Sequence, residues 1–250
     1  MIELEGVGYA WPEGGRCLQG VDLRLAPGEK VVLLGANGSG KSTLLKLLNA
    51  LVFPTAGRYR FGGREVTRAA LRERDWSRDF RRRCVLLFQH PEAMLFNPTV
   101  REEVAYGPAR LGLPDVAGRV ERWAGALGLE PLLEVPPYRL SGGEKQKVAL
   151  AALLALDPEV LLLDEPMANL DPRTSGWVVD FLADTAATVV VSTHNLSMAA
   201  ELGERCVVLG PGGRVVRDTT VEAALGDLDL LDSADLVHRH RHRHGAVVHS

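Results

Sequence analysis

The stretch Gly35-Ala36-Asn37-Gly38-Ser39-Gly40-Lys41-Ser42-Thr43 has the residue types and spacing of a phosphate cradle. It fits the pattern G-x-x-x-x-G-K-[ST], in which glycines let the backbone curl until successive N–H groups point inward at phosphate oxygens. Lys41 would reach the β- and γ-phosphates, and Ser42 would offer an oxygen to Mg²⁺. A second set of groups lies far along the chain. Val160–Asp164 is an apolar run that ends in the acidic pair Asp164-Glu165. Asp164 is placed to hold Mg²⁺ through water, and Glu165 to polarise an attacking water. His194, after the run Thr188–Thr193, could sense a γ-phosphate, and Gln89, at the end of another run, could bridge metal or water. A third sequence, Leu140-Ser141-Gly142-Gly143-Glu144, opens a helix after a Ser-Gly-Gly turn and is a further anion site in its own right. One nucleotide needs only one cradle, so the chain holds a surplus.

These groups need strands that end where the chemistry starts. Lys30–Leu34 is a short continuous apolar run stopping at Gly35, as expected of a strand buried on both faces, and Lys41–Leu51 carries helical spacing. Ile2–Tyr9, Leu18–Leu25 and Gly57–Phe61 alternate like antiparallel strands. Strand character recurs at Arg83–Phe88, Val160–Leu163, Thr188–Ser192 and Arg205–Leu209. Val100–Leu111, Val116–Leu127 and Gly142–Leu156 have helical spacing, with Pro and Gly between them. The pattern predicts one α/β domain interrupted by a helical insert. Arg81-Arg82-Arg83 reads as an exposed turn or strand entrance.

The chain has 250 residues and a net charge of −3, so no global basic field calls for nucleic acid. Its 3 cysteines, Cys17, Cys84 and Cys206, are scattered, which suits a reducing compartment. Met1–Glu5 lacks a secretory pattern, and no apolar run approaches the roughly 18–20 residues of a membrane span. A membrane role would therefore come through a partner.

Together the motifs resemble the nucleotide-binding subunits of ABC transporters, over about residues 2 to 220. Gly35–Ser42 is similar to the Walker A motif, Leu161–Glu165 to Walker B with its catalytic glutamate, and Leu140–Glu144 to the family signature. Asp171, in Asn169-Leu170-Asp171, resembles the D-loop aspartate, His194 the switch histidine and Gln89 the Q-loop glutamine. Tyr9-Ala10-Trp11-Pro12 resembles the aromatic loop that stacks on adenine, with Trp11 the better ring and Tyr9 second. The resemblance implies a P-loop, RecA-like core with an N-terminal antiparallel β subdomain (within 1–65) and an α-helical subdomain (about 90–156) in a domain spanning 1–226. It implies ATP and Mg²⁺ as ligands. It also implies head-to-tail pairing with a second ATPase subunit, so that Ser141, Gly142 and Gly143, with Glu144, meet the ATP of the partner chain.

Phe88–Val100, continued by Glu102–Pro108, is similar to the extended Q-loop of energy-coupling-factor importers, which grips a transmembrane coupling protein. Met94 stands where that group usually has Gln. The resemblance is closest to ATPases of cobalt and nickel importers, which work at the cytoplasmic face of the membrane beside a substrate-binding membrane component. A vitamin importer and a soluble ABC ATPase outside transport are the alternatives. From Asp227 the chain reads as a polar tail, 227–250, where His238, His240, His242 and His244 alternate with arginines. In a strand or a helix these imidazoles could share a transition metal.

Overall fold

The computed structural model describes residues 1–168, 170–242 and 245–249; for Arg16 and residues 238–249 it describes the backbone alone. The chain opens with β1 (Ile2–Ala10), β2 (Arg16–Leu25) and β3 (Lys30–Leu34), then turns through the glycine loop into α1 (Lys41–Leu48). β4 (Ala56–Phe61), β5 (Arg64–Glu65) and α2 (Arg74–Arg83) lead to β6 (Cys84–Leu87). The insert is α3 (Val100–Arg110), α4 (Val116–Leu127) and α5 (Gly142–Leu154). The core resumes with β7 (Val160–Asp164), α6 (Pro172–Asp184), β8 (Thr188–Thr193), α7 (Leu196–Leu202), β9 (Arg205–Gly210) and β10 (Arg214–Thr220). α8 (Val221–Gly226), α9 (Leu228–Ser233) and a hairpin of β11 (His238–His242) and β12 (Gly245–His249) complete it.

Two sheets divide the work. β2-β1-β4-β5 is antiparallel, whereas the larger sheet runs β10-β9-β3-β8-β7-β6, parallel throughout except for the β10 edge. Strand side chains alternate between faces, and the two cores follow that period. Val32, Leu34, Val85, Leu87, Leu161, Leu163, Val189 and Val191 face the helical insert and the C-terminal helices. Val31, Leu33, Leu86, Val160, Leu162 and Val190 face α1, α2 and the antiparallel sheet. Burial on both faces explains why β3, β7 and β8 read as unbroken apolar runs.

Two expectations are corrected. Arg81-Arg82-Arg83 is not an exposed loop turn but the last turn of α2, and it leads directly into β6, so the strand-entrance reading holds. Trp76 and Phe80 on that helix pack against Phe61, with the Phe61 and Phe80 ring centroids 5.1 Å apart. Arg83 grips Glu159 through two parallel bonds of 2.9 and 2.8 Å, fixing α2 to the entrance of β7. The polar tail does not start at Asp227 either. Asp227 caps α9 through the Leu230 N–H, and Leu230, Leu231, Ala234, Leu236 and Val237 are buried in the core. The apolar residues of 228–237 are enough to seat this short segment despite its three aspartates.

Candidate active site

The parallel strands β3, β8, β7 and β6 all point their C-terminal ends the same way, and the polar groups collect there, as is general for open α/β sheets. β3 releases the chain into the glycine loop. Gly35 has φ 156°, and a Cβ there would lie 2.5 Å from Ser39 Oγ and 2.6 Å from the Leu209 carbonyl oxygen. Gly40, at φ 101°, precedes α1 as its N-cap and brings no side-chain acceptor to the first-turn amides. Those N–H groups are left for an external anion, supported by the helix dipole. Ser39 Oγ is buried with no protein partner, a polar atom likewise suited to a ligand oxygen. Lys41 is buried, and its Nζ donates to the carbonyls of Gly35 at 2.6 Å and Ala36 at 3.1 Å. Burial lowers its pKa, while the charges of Glu165 and Asp164 oppose that shift.

A cavity of about 410 Å³ joins this loop to the strand ends. It is lined by Asn37, Gly38, Gly40, Lys41, Ser42 and Thr43, with Cys17, Gln89, Asp164 and Glu165. A larger cavity of about 730 Å³ beside β1, β2 and β10 has Arg214 as its only charged lining residue and no phosphate loop. The smaller one brings the glycine loop, Lys41 and the acidic pair together.

Asp164 is buried, and its Oδ1 accepts a 2.5 Å bond from the Ser192 hydroxyl. Glu165 has φ 48°, a left-handed backbone that costs about 1–3 kcal/mol and gathers at functional sites. Its N–H donates to the carbonyl and the hydroxyl of Ser192, both at 3.2 Å. His194 Nδ1 lies 2.7 Å from Glu165 Oε1, and the ring is otherwise exposed. With Nδ1–H committed to the carboxylate, Nε2 is free for another partner. Ser42, Gln89 and Asp164 give hydroxyl, amide and carboxylate oxygens on one cavity, a donor set that fits a hard ion such as Mg²⁺.

Tyr9 is buried, whereas Trp11 is 40% exposed and stands edge-on to it, ring centroids 5.1 Å apart at 88°. Trp11 is therefore the ring with a face to offer. Trp11→Ala is expected to weaken ATP binding about tenfold, since base stacking on an aromatic is worth ~1–3 kcal/mol. Tyr9→Phe should leave affinity unchanged. Titration with a fluorescent ATP analogue separates the two, and an unaltered Trp11→Ala affinity would remove that ring from the site.

The signature residues are elsewhere. Ser141, Gly142, Gly143 and Glu144 do not line the cavity. Ser141 caps α5 in a reciprocal box with Glu144, whose pKa is lowered mainly by the Ser141 hydroxyl. Ser141 and Gly142 are exposed, and the space over Gly142 is open within 4 Å of a built Cβ. Two further residues of α5 tie this helix to the acidic strand end. Gln146 Nε2 donates to the Pro166 carbonyl at 3.0 Å, and Lys147 Nζ lies 3.4 Å from Asp171. Asp171 caps α6 through Thr174, whose hydroxyl and amide hold its pKa down to about 2. Asn169 lies outside the described residues.

Comparison with known proteins gives the family. The description of the ABC transporter family matches residues 18–168. The chain belongs to the ABC transporter family. Its ATPase relatives include the nickel import ATP-binding protein NikO of Rhodobacter capsulatus, 46% identical over 84% of this chain and 86% of that one. The energy-coupling factor transporter ATP-binding protein EcfA of Methanothermobacter thermautotrophicus is 37% identical over 94% of this chain and 76% of that protein. Among solved structures, cbiO1 of Clostridium perfringens, described as part of the ABC transporter complex cbiONQ, superposes with a TM-score of 0.77 at 28% identity, covering 94% of each chain. The dimeric cassette MJ0796 in a post-hydrolysis state, bound to ADP and Pi, gives 0.78 at 28% identity over 88% of this chain and 99% of that one. This ABC ATPase thus binds ATP in the P-loop fold just described and hydrolyses it for transport.

Beside this cavity the ABC ATPase carries an aromatic surface. Gln89 lines the cavity, and the chain then runs through a 3₁₀ turn, Pro91–Met94. Met94 turns inward, packing on the core with its Sδ accepting from the Phe88 N–H at 3.5 Å. Buried Glu103 holds the next bend by accepting from the Phe96 and Asn97 N–H groups at 2.8 and 2.7 Å. Phe96 and Tyr106 remain exposed, edge to face at 4.9 Å. Among the described residues no helix is long and apolar enough to cross a membrane, and no cluster of His, Cys, Asp and Glu could hold a metal. His238, His240 and His242 lie on the β11 backbone; their side chains, and His244 altogether, lie outside the described residues.

Proposed function

We propose that this ABC ATPase powers an energy-coupling-factor importer for Ni²⁺ or Co²⁺ from the cytoplasmic face of the membrane. The observation that carries the importer reading is the segment from Gln89 to Tyr106. One end lines the ATP cavity, and the other sets an exposed aromatic pair where a transmembrane coupling protein would grip. Met94 serves that segment from inside, so the partner would meet Phe96 and Tyr106 rather than the side chain at 94. The likeness to NikO supports the cargo.

In this reading the loop from Gly35 to Thr43 cradles the phosphates, Lys41 turns from its carbonyl partners to the β- and γ-phosphates, and Trp11 stacks on adenine. Ser42, Gln89 and Asp164 would hold Mg²⁺, which when bound neutralises charge on the transferred phosphoryl group. Glu165 orients and polarises the attacking water, and His194 links the γ-phosphate to Glu165. A second ATPase subunit, head to tail, brings its Ser141–Glu144 helix start to the same phosphate, so that ATP joins the two and hydrolysis parts them. A substrate-binding membrane component selects the cargo.

Uptake of radiolabelled Ni²⁺ and Co²⁺ in cells with and without this gene tests the cargo. The expected result is uptake of one of the two metals that disappears with the gene. Equal uptake of both metals in the two strains would overturn it.

A further inference from the structure

We propose that Ser192 is a positioning residue for ATP hydrolysis, its hydroxyl orienting the Asp164 carboxylate while the same residue anchors the backbone of Glu165. This rests on the metal and water roles proposed above for those two acids. β8 is otherwise apolar across Val189, Val190 and Val191, and Ser192 is fully buried. A hydroxyl at such a place is costly unless both its donor and its acceptor are used. Here both are used. Its O–H donates to Asp164 Oδ1 at 2.5 Å, a short bond of the charge-assisted kind, and its oxygen accepts the Glu165 N–H at 3.2 Å. The Ser192 carbonyl accepts that same N–H.

The geometry gives each contact a consequence. Asp164 and Ser192 are paired in register across β7 and β8, so the hydroxyl meets the carboxylate at a fixed height along the sheet. With Oδ1 held, Oδ2 is the oxygen left for the cavity that Asp164 lines. Glu165, one residue on, keeps a left-handed backbone that must be held from outside, and among the described residues its N–H is tied to Ser192 alone. Two residues further along, His194 contacts the Glu165 carboxylate at 2.7 Å. The end of β8 therefore sets both acids, one through Ser192 and the other through Ser192 and His194. A shift of β8 that follows His194 reaches Asp164 through the Ser192 hydroxyl as well as through the β7–β8 pairing.

The test uses the full chain with Ser192→Ala, Ser192→Cys and Ser192→Thr, with Asp164→Asn alongside. Three quantities are read: Mn²⁺ affinity of the ATP-bound protein by electron paramagnetic resonance, binding of a fluorescent ATP analogue without divalent metal, and kcat with its Mg²⁺ dependence. Loss of a hydrogen bond to a charged group is expected to raise the Mn²⁺ Kd and the Mg²⁺ half-saturation about tenfold, and to lower kcat by a similar factor. Metal-free nucleotide binding should stay within about twofold, and Thr should restore both metal readouts. Cys, nearly the size of Ser but a weak donor, should behave like Ala and serves if the Ala protein does not fold. Wild-type metal affinity in Ala and Cys, with Asp164→Asn impaired, would overturn the role of Ser192 alone. Unchanged Mn²⁺ binding in Asp164→Asn would instead sink the metal role of Asp164. Parallel loss of metal-free nucleotide binding, without rescue by Thr, would make Ser192 merely structural.

Discussion

Glu165→Gln is expected to lower steady-state ATP hydrolysis by about 10²–10⁴-fold, the range over which a positioned general base contributes, while ATP binding persists. The substitution is nearly isosteric. The Glu165 backbone keeps its left-handed conformation because Ser192 holds the N–H, not the side chain. The Gln amide oxygen can still accept from His194 Nδ1, which lies 2.7 Å from Oε1. What disappears is a carboxylate able to draw a proton from water. Lys41 and the glycine loop are untouched, so the nucleotide should still bind, and under the proposed pairing it would leave two subunits held together by uncleaved ATP. Phosphate release measured beside binding of a fluorescent ATP analogue checks both halves. Retained turnover would remove Glu165 from the chemistry.

The sequence made some of this legible for a physical reason and hid the rest for another. β3, β7 and β8 are buried on both faces, and each ends at a residue whose type is chemically loud: Gly35, Asp164 and, just beyond β8, His194. A run of valines and leucines ending in such a residue is visible without any structure. α2 was not visible. Its two buried aromatics, Trp76 and Phe80, sit among five arginines, so the apolar stripe is too thin to stand out, although it locks the helix to Phe61 and Glu159. Ser192 was equally quiet, because one small polar residue in Val-Val-Val-Ser-Thr reads as a strand end; only the β7–β8 register reveals it facing Asp164. Gln146 and Lys147 lie in a helix whose opening turn already had an assigned purpose, and their partners Pro166 and Asp171 become neighbours only by folding. The tail shows the limit from the other side. Leu230, Leu231, Leu236 and Val237 are as apolar as any core residue, yet the aspartates around them masked the packing of α9.

Mixing two inactive variants is expected to restore activity, and this follows from where the signature sits. Lys41→Ala removes the ammonium proposed to reach the phosphates, while its own Ser141–Glu144 turn stays intact. Gly142→Asp does the reverse. Gly142 has an ordinary backbone, nothing lies within 4 Å of its would-be Cβ, and an acid in the first turn of α5 suits the helix dipole, so the fold should tolerate it. A carboxylate there would nonetheless repel a phosphate brought up by another chain. Each variant alone should lose about 10²–10³-fold in turnover, the scale for removing one stabilising contact to developing charge. In a mixed head-to-tail pair one composite site carries both lesions and the other carries neither. Random pairing of equal amounts makes about half the dimers mixed, so activity should recover to about a quarter of wild type when the two sites act independently. If the signature served the ATP of its own chain, every site in the mixture would stay broken and nothing would recover. Phosphate release as a function of mixing ratio, with subunit pairing followed by light scattering, distinguishes the two. The exclusion of Ser141–Glu144 from the cavity that holds Lys41 and Asp164 is the reason to expect recovery.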